Sequence, residues 1–260
     1  MPKTQKKQFV MSVIVTKSYQ YYLRSTHSIL VILGCILCMT SCAEQYNISG
    51  DSSVSTLDGR MLYLKAPNIS TASMCNLDSC EVIHGKFSFM GMVDSVTLGE
   101  LFMDNEGFMP IVIEKGNISI SISNTEQKVV GSQLNDRLYR FLEKKNRLEE
   151  EIMNLSNMEA QWILSGMHPM IAHRRVAEKT NRMYNELEDL ETDFIATNSN
   201  NILGATFFNM LCSKYPYPIL TSQINKIMKR ASNNFKNNPV VRTYIQAAET
   251  NMKLIENSGN

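Results

Sequence analysis

The hydrophobic period of the chain changes near residue 132. Up to that point apolar side chains recur at every second position in short runs. Beyond it they recur at every third or fourth. A period of two puts alternate residues on opposite faces of a strand, whereas a period near 3.6 gathers them on one side of a helix. The two patterns cannot exchange structures. The expectation is an α+β protein with segregated parts: an antiparallel β-sandwich-like domain over 46–131, then an α-helical domain over 132–257 built on a long helical hairpin.

Within the first part, Tyr46–Gly50 opens the strand pattern, and Asp58-Gly59 is a turn signal followed by Arg60–Leu64. Cys80–Ile83 and Lys86–Gly91 flank His84-Gly85 as an expected hairpin, and Ser95–Phe102 follows. Met109–Glu114 and Asn117–Ile122 are joined by Lys115-Gly116. Strands this short, at this spacing, suit a sandwich or barrel-like sheet.

Within the second part, Leu134, Leu138, Phe141, Leu148, Ile152 and Leu155 make one helical stripe, interrupted at Lys145, with Ser132 placed as its N-cap. Val176, Met183, Leu187, Leu190 and Phe194 make a second stripe. Gly166-Met167-His168-Pro169 breaks the two, which predicts an antiparallel pair. The acids Glu186, Glu188, Asp189 and Glu191 read as a solvated helix face. Shorter helices are expected near 201–214, 221–234 and 239–256, separated by prolines 216, 218 and 239.

Residues 1–41 carry Lys3, Lys6, Lys7, Lys17 and Arg24 and no acid. The whole chain is nearly balanced, 26 Lys plus Arg against 25 Asp plus Glu, so the remainder is mildly acidic and no basic excess points to nucleic acid. The run Ile29–Met39 is uncharged and apolar over eleven residues, a length that suits a signal-peptide core and falls short of the ~20 a membrane span needs. Met39-Thr40-Ser41-Cys42 follows directly and resembles a bacterial lipobox. That resemblance implies a lipoprotein signal over 1–41, starting at Met1 or Met11, and acylation of Cys42. Ala43-Glu44-Gln45 lacks an Asp after the cysteine, which favours the outer membrane of a Gram-negative envelope over the inner.

Cys35 and Cys38 have the C-x-x-C spacing of a redox pair but lie inside the expected signal. Cys75 and Cys80, in a polar stretch, are either a short disulfide loop in an oxidising compartment or two separate thiols. Cys212 reads as a core residue. His168 and His173 are five apart, outside the i, i+4 geometry of a helical zinc pair, and His27 and His84 stand alone. No phosphate loop, G-x-S-x-G or H-E-x-x-H occurs, so no catalytic residue, metal or cofactor is expected. Asp94-Ser95-Val96 is similar to an O-glycosylation acceptor of some Gram-negative periplasmic proteins, which would make Ser95 the acceptor.

Several short motifs together resemble the envelope lipoproteins whose N-terminal β domain is catalogued as domain of unknown function 4369. They are Ile48-x-Gly50, Asp58-Gly59-Arg60 with Leu62-Tyr63-Leu64, and Gly85-Lys86-Phe87-Ser88-Phe89 with Gly91. Ile113–Ile118 and Val130-Gly131-Ser132-Gln133-Leu134-Asn135 extend the likeness, and Asp193–Asn198 with Asn201–Gly204 carries it into the helical part. In many members a thioredoxin-like domain with W-C-x-x-C comes next. This sequence reaches Asn260 where that domain would begin, and its single Trp, Trp162, falls in an expected helix. The resemblance thus implies the accessory module, a non-enzymatic lipid-anchored protein offering a β edge or a helical groove to a protein or peptide partner. Two alternatives stand beside it: a component of a periplasmic thiol–disulfide system, and a structural or nutrient-uptake lipoprotein.

Overall fold

The computed structural model describes residues 45–68 and 73–258, and these belong to one compact unit. Cys42 and the expected signal lie outside the described residues. Eight strands come first: β1 Gln45–Ser52, β2 Met61–Asn68, β3 Ser73–Glu81, β4 Lys86–Met92, β5 Thr97–Met103, β6 Glu106–Ile113, β7 Gly116–Ile122 and β8 Gln127–Val130. Six helices follow: α1 Gln133–Leu164, α2 Pro169–Thr197, α3 Ile202–Cys212, α4 Ser222–Arg230, α5 Asn233–Asn237 and α6 Pro239–Ser258.

The strands form two four-stranded sheets, one in the order β4-β1-β7-β8 and the other β3-β2-β5-β6. Their inner faces meet in one core. Tyr46, Ile48, Phe87, Phe89, Ile118, Ile120 and Val129 come from the first sheet, and Leu62, Leu64, Leu101, Met109, Ile111 and Ile113 from the second. The pairing is not wholly antiparallel, because β1 runs parallel to β7 with Ile48 opposite Ile118. Parallel neighbours need a long crossover, and here it runs through all four strands of the second sheet and through β4.

The β3–β4 turn also differs from expectation. His84 and Gly85 have φ of 51° and 72°, as a tight primed turn requires, and Ile83 and Lys86 exchange both backbone hydrogen bonds at 2.9 Å. The ladder stops there, since β3 continues along β2 and β4 along β1. The turn is a corner between sheets. Two further strands escaped the sequence reading. Residues 73–79 look polar because β3 lies at the edge of its sheet, and β8 is only four residues long.

Glycine sets the register of the first sheet. Gly50 lies opposite Phe87, and Gly91 opposite Tyr46. A Cβ on Gly91 would come within 2.5 Å of the Tyr46 hydroxyl, and one on Gly50 would run into the Phe87 ring. Each glycine therefore leaves the space an aromatic neighbour fills from across the ladder. The Ile48-x-Gly50 and Phe87-x-Phe89-x-Gly91 patterns are two halves of that packing.

The helices cover the outer face of the second sheet. Val112 on β6 is fully buried beneath Leu138, Phe141, Phe194 and Leu203, with Leu98 of β5 beside it. Phe141 stacks on Phe194 at 4.0 Å between ring centroids, and Phe207 meets both edge-on. Farther out, α1 and α2 hold each other through Leu148, Leu155 and Met183. Lys145, which interrupts the stripe, pairs with Glu149 one turn on. A separate core around Phe208, Cys212, Ile224, Phe235 and Val241 unites α3 to α6. The expected helix over 221–234 is two helices, broken where Ser232 caps Phe235 and binds back to Ser199. The acids on α2 are not simply a solvated face: Lys226 reaches Glu188 at 3.1 Å, Lys214 reaches Glu191 at 2.9 Å, and Arg230 pairs with Asp193.

Candidate functional site

The edge strand β6 meets helix α1 at a joint where Gly131, Ser132, Asn135 and Tyr139 meet Pro110 and Val112. Gly131 turns the chain at φ 104°, where a Cβ would lie 2.5 Å from the Asn117 carbonyl oxygen. The Ser132 hydroxyl then caps α1, accepting from the Asn135 N–H at 3.2 Å and from Asn135 Nδ2 at 2.9 Å. Asn135 is wholly buried. Its Oδ1 accepts from the Val112 N–H and its Nδ2 donates to the Val112 carbonyl, both at 2.8 Å. The side-chain amide takes the place of a neighbouring strand and closes the edge of β6. One step along, Pro110 has no N–H to satisfy, and its carbonyl accepts from the Tyr139 hydroxyl at 2.9 Å. Burial pushes the Tyr139 phenol well above its ordinary value, so it remains a donor.

Beside this joint lies an open cleft of about 1040 Å3, floored by Phe108, Pro110 and Tyr139. One wall is β8 with the turn that precedes it, carrying Glu126 and Lys128. The other is the polar face of α1, where Asp136, Arg140, Glu143, Arg147 and Glu150 step by four, three, four and three residues and alternate in sign. The strand β8 ends its sheet, paired with β7 alone, and no backbone hydrogen bond among the described residues closes its outer edge. The cleft holds no cysteine or histidine, and its only serine, Ser123, hydrogen-bonds within its own turn to Thr125 and Glu126. The cleft thus sets a strand edge without a second partner strand beside a ladder of alternating charge.

The residues singled out from sequence are dispersed. Cys75 and Cys80 sit on the same strand, β3, opposite Ala66 and Leu62. They face residues four apart on β2, with one bulge between them, so their Cα atoms lie roughly 13 Å apart, beyond the roughly 4–7 Å a disulfide spans. The short loop is replaced by two free thiols. The Cys75 thiol donates to the Ala66 carbonyl at 3.3 Å, and burial raises the Cys80 thiol. Ser95 is exposed in the loop between β4 and β5. Cys212 is buried, as expected, and its thiol is pushed up to about 12. His173 pairs with Glu159 at 3.2 Å, and His168 precedes α2. Sequence reasoning missed the cleft because β8 was not recognised. The alternating charges of α1 were the available signal.

Residues 46–138 match the family model described as a domain of unknown function, DUF4369. The match runs through the sandwich and the joint, ending in the second turn of α1. No curated protein matches the chain.

Proposed function

We propose that this protein is a non-catalytic, lipid-anchored module of a Gram-negative envelope, held by acylated Cys42 and binding an extended peptide segment of a partner along β8. The cleft carries the reading. It pairs a strand edge that can accept a further strand with charges of both signs for the peptide's side chains. The lipobox-like Met39–Cys42 supports the anchor, and Ala43-Glu44-Gln45 supports the outer membrane. Two experiments test the two halves. Labelled palmitate should enter the native chain and not the Cys42→Ala variant; equal labelling of both would contradict the anchor. A photo-crosslinker replacing Lys128 should capture a discrete segment of an envelope protein, mapped by mass spectrometry, whereas one replacing the exposed Met90 on β4, the opposite edge of the same sheet, should not. Capture at both positions alike would contradict the cleft.

A further inference from the structure

The far end of the α1–α2 hairpin is built unlike the rest of the helical part. Leu164 is 88 % exposed and Met170 77 %, with Ile163 and Ile171 also exposed. These four frame the turn over 165–168, and the single tryptophan, Trp162, is half-buried among them. Nothing in the α1 and α2 stripes requires this, since the side chains facing inward near the turn are Leu155, Met158, Ala172 and Val176. The ion pairs of α2 with elements beyond α1 begin at Glu188, so the arm from Pro169 to that point extends roughly 28 Å at 1.5 Å per residue.

The charge around the tip is one-sided. From Ile152 to Ala177 the only acid is Glu159, which is engaged by His173. Arg174 and Arg175 are exposed, two turns behind Met167 and Pro169. Apolar side chains at the apex, an indole at the boundary and arginines just behind it match an anionic lipid interface in order: acyl chains, headgroup zone, phosphates. No described helix is long and apolar enough to cross a membrane, so such a contact is superficial.

We infer that the hairpin tip is a membrane-contacting element that seats Leu164, Met170 and Ile171 in the headgroup boundary of an anionic bilayer. This goes beyond the acyl anchor and does not need it. Trp162 supplies the probe. The full chain is mixed with vesicles of phosphatidylethanolamine and phosphatidylglycerol, with brominated acyl chains in part of the lipid. Expected are co-sedimentation, a shift of Trp162 emission to shorter wavelength and its quenching by the bromines, with shift and quenching both lost in Leu164→Asp/Met170→Asp. Both substitutions fall at exposed positions and leave the core intact. If the variant still co-sediments, the acyl anchor holds independently. If it no longer does, the tip was the only attachment and the anchor fails. Co-sedimentation without quenching of the native chain overturns the tip while leaving the anchor. No co-sedimentation overturns both. Quenching that persists in the variant, or a tip buried by self-association in sedimentation velocity without lipid, also overturns the inference.

Discussion

Asn135 is the residue on which the two parts of the molecule depend most. Replacing it with Ala leaves the Val112 N–H and carbonyl buried without partners and removes a ligand of the Ser132 hydroxyl. The expected loss is about 2–4 kcal/mol in urea unfolding, against about 1 kcal/mol for Ser132→Ala, which removes mainly a cap. Equal losses would mean that the amide is not closing the β6 edge. Cys212 gives a pH signature. Its thiol is raised from 9.0 to about 12 by burial, so the folded state holds a proton that the unfolded state releases. Stability is then full below pH 9 and falls as pH rises from about 9 towards 12. In Cys212→Ala the fall should be shallower, a comparison that urea midpoints across that range would make directly. Sequence alone marked Ser132 as a cap and Cys212 as core, because caps and apolar runs are local signals. It marked Asn135 only as one letter of a motif, because the partner of that amide is 23 residues away on another element.

At the scale of elements, each paired glycine and aromatic acts as one unit. Gly91→Ala should cost about 1–3 kcal/mol by forcing a methyl against Tyr46. Trimming the tyrosine in the double variant Gly91→Ala/Tyr46→Leu should recover part of that cost, a coupling that a double-mutant cycle measures. Strict additivity would show that the two do not pack as a unit. The long helices were legible from their stripes, and the break at 166–169 from its Gly and Pro. The sheets were less so. Alternation reveals a strand and not its neighbour, so the parallel β1–β7 pair and the β3–β4 corner had no local trace. β3 was obscured by the same edge position that leaves Met74 and Leu77 exposed. The acids of α2 read as solvated because their partners, Lys214, Lys226 and Arg230, come from later elements.

At the scale of the whole molecule, the sandwich, the joint and the helices make one body with a preformed cleft beside the joint. Three thiols occur among the described residues, two on one strand at unbridgeable separation and one in the core. Purified residues 43–260 are expected not to accelerate reduction of insulin disulfides, and turnover above the uncatalysed rate would favour the thiol–disulfide reading. The site itself was the least legible feature, since it exists only where a four-residue edge strand and one face of a 32-residue helix meet across the joint. Amide hydrogen exchange of the full chain, compared between intact envelopes and the purified protein, tests the binding role most directly. Slower exchange in the envelope is expected at Gln127–Val130, with the interior strands β1 and β7 unchanged. Identical exchange of β8 in both settings, with protection confined to other strands, would contradict it.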